Sequence, residues 1–93
     1  MKVKEFILEN EIVVKEWLVE NGIVNEDDNI NYHDGNYEDE YGEDHVTDEV
    51  CSIYNIGCDF SFDKKYLNIE YGDCDCLELN INGKTLYAIV YII

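Results

Sequence analysis

Proline and arginine are both absent from this 93-residue chain, and the six lysines are its only strong bases. Without arginine the chain lacks the planar fork that grips phosphate and carboxylate substrates through paired hydrogen bonds. Six cations stand against 22 acids, a formal net charge of −16. That sign excludes direct binding to the backbone of DNA or RNA and to an anionic membrane surface. Without proline no loop is stiffened by a fixed φ, so loop order has to come from hydrogen bonds and packing. No apolar run reaches the roughly 18 residues of a membrane-spanning helix. The first residues do not show the basic, apolar and small-residue zones of a secretory leader. With four cysteines and no such leader, the expectation is a cytoplasmic protein with reduced thiols.

Apolar residues make up 46% of the chain and aromatic residues 13%, too many for a disordered polypeptide despite the charge. A chain of this length sets an expectation of one domain spanning 1–93, and buries roughly 60–65% of its unfolded surface. No internal repeat is present. The chain divides into a helix over 2–21, an acidic connector over 24–49 and a β-rich half over 50–93.

Val3, Phe6, Ile7, Val13, Val14, Trp17 and Leu18 fall within one helical stripe about 140° wide, which predicts an amphipathic helix. Asn21-Gly22 supplies its stop. Leu8, Ile12 and Val19 form a narrower second strip, read either as burial beneath the connector or as a contact with a partner or a second copy. The connector holds 11 acids, Tyr32, Tyr37 and Tyr41, and only three aliphatic residues. A structureless stretch of this length is uncommon in a compact domain unless it is functional or disordered. Asp34-Gly35 is a turn dipeptide around which part of it can pair as a hairpin.

From Val50 the apolar period becomes two. Val50, Tyr54, Ile56, Cys58, Phe60 and Phe62 predict one long bent strand, or two strands broken near Gly57. A short helix over Thr47–Tyr54 is the rival reading there. A turn at Asp63-Lys64-Lys65 leads into a strand over Tyr66–Tyr71, broken at Gly72-Asp73. Asn82-Gly83, flanked by alternating apolar residues, predicts a two-residue hairpin in which Leu79 faces Leu86 and Leu77 faces Ala88. The last strand, Leu86–Ile92, is apolar on both faces and belongs in the centre of the sheet or beneath the helix. The fold class is α+β, with the helix packed on an antiparallel sheet of three to five strands.

Chemistry-bearing patterns are few. The two histidines, His33 and His45, lie among carboxylates that favour the charged imidazolium, which suits a general base poorly. Ser52 and Ser61 lack the strand–turn–helix setting of a nucleophile elbow. No glycine-rich phosphate loop occurs. The expectation is a protein without catalytic activity and without a cofactor. Cys51, Cys58, Cys74 and Cys76 are spaced unlike the tight pairs of most zinc sites and read first as buried thiols, with zinc and disulfide pairing as the alternatives. Asp27, Asn29, Asn31, His33 and Glu38 match ligand positions of a calcium loop of the EF-hand kind, but Tyr32 replaces its glycine and Asp34 its aliphatic residue.

What remains is the acidic field itself. Of the 22 acids, 15 lie between Lys15 and Lys64, a span with no lysine. Such crowding destabilises a fold by self-repulsion, which calls for a compensating use. A salt-adapted protein would spread its acids over the whole surface, whereas here they cluster. Carboxylates on a folded surface can stand in for the phosphates of a nucleic acid. At one charge per roughly 1.7 Å of duplex axis, the net charge corresponds to about eight base pairs. The small, acidic, arginine-free profile is similar to that of phage-encoded inhibitors of host defence nucleases, the anti-restriction and anti-CRISPR proteins, in size and composition only. That resemblance implies a DNA mimic that occupies the basic channel of a nuclease or CRISPR effector. The expected contact set is Glu26, Asp27, Asp28, Tyr32, Asp34, Tyr37, Glu38, Asp39, Glu40, Tyr41, Glu43, Asp44, Asp48 and Glu49, with the tyrosines as anchors. The alternatives are an immunity protein or antitoxin guarding a nuclease toxin, a divalent-cation-binding module over Asp27–Glu38, and an adaptor that dimerises through Leu8, Ile12 and Val19.

Overall fold

The amphipathic N-terminal stretch folds as two helices, α1 (Val3–Glu9) and α2 (Glu11–Glu20), in the computed structural model, which describes residues 1–67 and 76–91. The single helix expected over 2–21 is broken at Asn10, whose backbone leaves helical geometry at φ −115° and ψ 30°. Its amide side chain donates to the Phe6 carbonyl at 2.9 Å. Asparagine offers the backbone such an alternative partner, so it interrupts a helix without proline. The break re-aims α2. Val3, Phe6, Ile7, Val14 and Leu18 are buried and Trp17 packs against them, but Val13, assigned to the same stripe, is exposed. The second strip also divides: Leu8 and Ile12 are exposed, whereas Val19 packs against the core. Helix α2 ends where Asn21-Gly22 predicts. The Ile23 N–H reaches the Leu18 carbonyl and the Gly22 N–H the Val19 carbonyl, the two bonds of a Schellman stop.

Among the described residues five antiparallel strands follow: β1 (Tyr32–Glu38), β2 (Asp44–Ile53), β3 (Cys58–Ser61), β4 (Cys76–Ile81) and β5 (Lys84–Val90), in the order β1-β2-β3-β5-β4. The fold is α+β, with the N-terminal helices on one face of the sheet. Alternation along the strands puts Tyr32, Cys51, Ile53, Cys58, Phe60, Leu79, Leu86 and Ala88 beneath the helices. Phe60 is the hub, with Trp17 and Tyr32 at ring-centroid distances of 6.1 and 6.5 Å. The intervening residues Val50, Ser61 and Ile89 point to the reverse face and are also buried.

Much of the acidic connector is therefore strand. Its hairpin turns at Asp39–Glu43, not at Asp34-Gly35, which lies within β1 at a bulge. Asp34 pairs with Cys51 and the next residue, Gly35, with Thr47, so Asp48, Glu49 and Val50 have no partner on β1. A bulge of this kind bends and twists its strand. Gly35 makes the bend feasible, because a Cβ there would stand 2.5 Å from Ser52 Oγ and 2.6 Å from Val50 Cγ1. The rival helix over Thr47–Tyr54 is β-strand to Ile53, and the chain does break before Gly57, giving two strands.

The Asn82-Gly83 hairpin forms as predicted. Both residues have positive φ, 51° and 79°, the signature of a type I′ turn, and Leu79 faces Leu86 while Leu77 faces Ala88. Strand β5 lies between β3 and β4, the interior position its two apolar faces demand. The chain turns at Asp63-Lys64-Lys65 as expected, through a 3-10 turn over Lys64–Tyr66 that takes in the first residue of the expected strand, and Asp63 caps it by accepting from the Lys65 N–H. The remainder of the predicted strand to Tyr71, its break at Gly72-Asp73, and Cys74 lie outside the described residues. Among the described residues no helix is long and apolar enough to cross a membrane.

Candidate partner-binding surface

Three segments carry the expected contact residues: the loop before β1, the β1–β2 hairpin, and its five-residue turn. Glu26, Asp27 and Asp28 are exposed on the loop. Asp28 accepts from the Asn25 N–H at 2.7 Å, and its carbonyl accepts from Lys15, which ties this loop to α2. Asp34, Glu38, Asp44, Asp48 and Glu49 are exposed on the strands, and Glu40, Glu43 and Tyr41 on the turn, Tyr41 at 83%.

Three of the expected residues have other work. Tyr32 is buried at 8% exposure beneath the helices, so it supports the surface from inside and cannot anchor a partner. Its hydroxyl finds no hydrogen-bond partner among the described residues, and burial pushes the phenol pKa well up. Asp39 organises the turn. Its Oδ1 accepts from the Tyr41 and Glu43 N–H groups, each at 2.9 Å, and its Oδ2 lies 2.7 Å from His45 Nε2. The hydrogen bonds from His45 and the turn hold the carboxyl below its ordinary pKa. Tyr37 is half-buried, stacked on His45 at 5.2 Å and edge-on to Tyr66 at 4.9 Å.

The charge separation is pronounced. Lys2 pairs with Asp48 at 3.1 Å, Lys64 with Glu78 at 3.4 Å and Lys65 with Asp63 at 3.8 Å, while Lys84 sits 3.9 Å over the Phe62 ring. Lys2 is thus the cation that reaches the hairpin strands among these contacts. Directly opposite each other at the hairpin's end stand Glu38 and Asp44, a like-charge cross-strand pair that weakens the ladder.

The bent hairpin encloses a cleft of about 180 Å³ against the reverse face of the sheet, a feature that sequence patterning did not reveal. Tyr37, Glu38 and Asp44 line it from the hairpin, and Asp59, Tyr66 and Tyr91 from the sheet side. Asp59 is half-buried, and Tyr91 donates its hydroxyl hydrogen to Asp59 Oδ1 at 3.2 Å. Burial raises the Asp59 pKa, with the hydroxyls of Ser52 and Tyr91 drawing it partly back. A lone aspartate among alternating apolar residues, at a position where period two assigns the face away from the helices, was the available signal.

The calcium-loop frame does not close. Between His33 and Glu38 the chain is extended, which separates them by about 17 Å at strand rise, too far to share one ion. A different trio, Asp39, Glu43 and His45, has ligand atoms within 4.8 Å of one another; Asp39 and His45 are hydrogen-bonded to each other and Asp39 also accepts from the Glu43 N–H, which braces the turn. Cys51 and Cys58 are free and buried in the core; burial pushes the Cys51 pKa to about 12 and that of Cys58 higher still, so both remain thiols. Cys76 is half-exposed. Comparison with protein-family models, curated proteins and solved structures gives no significant match.

Proposed function

We propose that this protein is an acidic, nucleic-acid-mimicking inhibitor that binds and blocks a basic nucleic-acid-binding enzyme such as a defence nuclease or CRISPR effector. The observation that supports this reading most directly is the ordered display of acids. Asp34, Glu38, Asp44, Asp48 and Glu49 stand exposed on an extended hairpin, with Glu40 and Glu43 on its turn. Extended chain repeats each face every ~6.7 Å, so carboxylates are laid out in rows and held there by the ladder. A disordered acidic tail would lose conformational entropy on binding, whereas this surface is largely pre-formed. Its field also speeds encounter with a basic groove. Tyr41 provides an exposed aromatic residue at the tip.

The test is affinity capture from a nuclease- and CRISPR-bearing bacterial lysate at low salt, with DNA as competitor. Recovery of one basic nucleic-acid enzyme that is released by DNA is the expected result; retention in the presence of DNA would refute occupation of the nucleic-acid groove. The variant Glu26→Lys/Asp27→Lys/Glu40→Lys/Glu43→Lys removes eight of the sixteen net negative charges, two per reversal, at exposed positions. It is expected to keep its circular dichroism spectrum and lose capture. Normal capture by this variant would show that the loop and turn are not the contact surface.

A further inference from the structure

We propose that the cleft between the bent hairpin and the reverse face of the sheet receives the guanidinium group of an arginine side chain from the partner protein. The inference deepens the inhibitor reading and rests on it for the identity of the donor. Size comes first. A cleft of about 180 Å³ is too small for a drug-sized ligand or nucleotide, which needs roughly 300 Å³ or more. A cavity of about 150 Å³ accepts a benzene-sized guest, and a planar guanidinium is of that order.

The lining then selects the charge and shape of the guest. Tyr37 and Tyr91 supply aromatic surface beside Tyr66, whose ring already holds the Lys65 ammonium at 4.7 Å, and Asp59, Asp44 and Glu38 supply carboxylates. Cations are attracted to aromatic faces as well as to carboxylates, so the two residue types act together on a positive guest and against each other on a negative or neutral one. Guanidinium is planar, stacks on aromatic rings, and is more weakly hydrated than ammonium, so it loses less on entering a partly desolvated cleft. One feature of the free protein is costly without such a guest: Asp59 is drawn partly out of water with no lysine or histidine paired to it among the described residues. A cation beside it relieves that cost. Sequence position alone separates these groups widely, since Tyr37 lies on β1 and Tyr91 just past the end of β5; the hairpin's bend unites them.

The test titrates the full chain with N-acetyl-arginine methylamide at low salt, followed by NMR. Saturable shifts concentrated at Tyr37, Tyr66, Tyr91 and Asp59 are expected. Affinity should fall at least tenfold in Asp59→Asn and several-fold in Asp44→Asn, an exposed-site variant that leaves the core untouched. n-Butylammonium should bind at least tenfold more weakly than the arginine derivative. Unsaturable shifts spread over the acidic segment, wild-type affinity in Asp59→Asn, or equal binding of n-butylammonium would each overturn the proposal. The two readings fail separately. Partner capture that survives Asp59→Asn undiminished would eliminate the cleft alone. Specific cleft binding without capture of any basic enzyme would eliminate the inhibitor reading and leave an arginine-binding cleft without its donor.

Discussion

Tyr32 and Asp59 show how single polar groups carry the strain of this fold. The Tyr32 hydroxyl is buried without a hydrogen-bond partner among the described residues. Leaving such a group unsatisfied costs about 1–3 kcal/mol, while replacing it with hydrogen removes the cost and keeps the ring against Phe60. Tyr32→Phe is therefore expected to stabilise the protein by about 1 kcal/mol in urea denaturation. Asp59 has its pKa raised by burial. A carboxyl with a higher pKa folded than unfolded binds more protons in the folded state across that window, so stability falls as pH rises through it. Ionised Asp59 thus opposes folding at neutral pH. Asp59→Asn should raise Tm at pH 7, and the gain should shrink as pH falls and vanish below about pH 3, where the aspartate is protonated in both states. This variant is accordingly well suited to the arginine titration, since its loss of binding is not a loss of fold.

Among the elements, the two hairpins depend on glycine for different reasons, and substitution separates them. Gly83 has φ +79° with open space around it, so Gly83→Ala meets only the backbone cost of the left-handed region, about 1–2 kcal/mol. Gly35 faces a steric cost, because the new methyl would overlap Ser52 and Val50. Overpacking of this kind costs typically about 1–3 kcal/mol, and here it presses directly on the bulge. Hydrogen exchange should show Gly83→Ala loosening β4 and β5, and Gly35→Ala loosening β1 and the distal part of β2 while β4 and β5 keep their protection. If Gly35→Ala leaves the hairpin amides as protected as in the wild type, the close approach is not what sets its bend.

The molecule as a whole carries −16. Self-repulsion at this charge opposes compaction, and salt screens it: the Debye length shrinks from about 30 Å at 0.01 M to about 8 Å at 0.15 M. Tm should therefore rise with sodium chloride over that range, while capture of the basic partner weakens over the same range. The opposite responses arise because salt screens repulsion within the chain and attraction between chains alike. A Tm indifferent to salt would mean that local contacts such as Lys2–Asp48 already neutralise the field.

Local patterning was enough for several features. Asn82-Gly83 dictated its turn because few residue pairs adopt two successive positive φ angles, and Asn21-Gly22 ended α2 for a related reason. The two apolar faces of the last strand required an interior place, and alternation put Cys58 and Phe60 together in the core; Val50, grouped with them by the same period, faces the reverse side and Tyr54 is exposed, because Cys51 and Ile53 are the β2 residues that face the helices. The charge of the connector and its lack of lysine were plain from composition. Other features were decided only by tertiary structure. Apolar spacing ran unbroken across Asn10, yet a side-chain amide bonding to Phe6 split the helix, and the second helix settled with Val13 outward. The connector became strand although its acids have low β propensity, because pairing with β2 satisfies its backbone. Tyr32 went inward and Tyr41 outward because the register beside Ile53 points one at the core, while the turn leaves the other in solvent. The cleft required residues some fifty positions apart and a bulge whose partners skip from Cys51 to Thr47, a long-range pairing that no local pattern encodes.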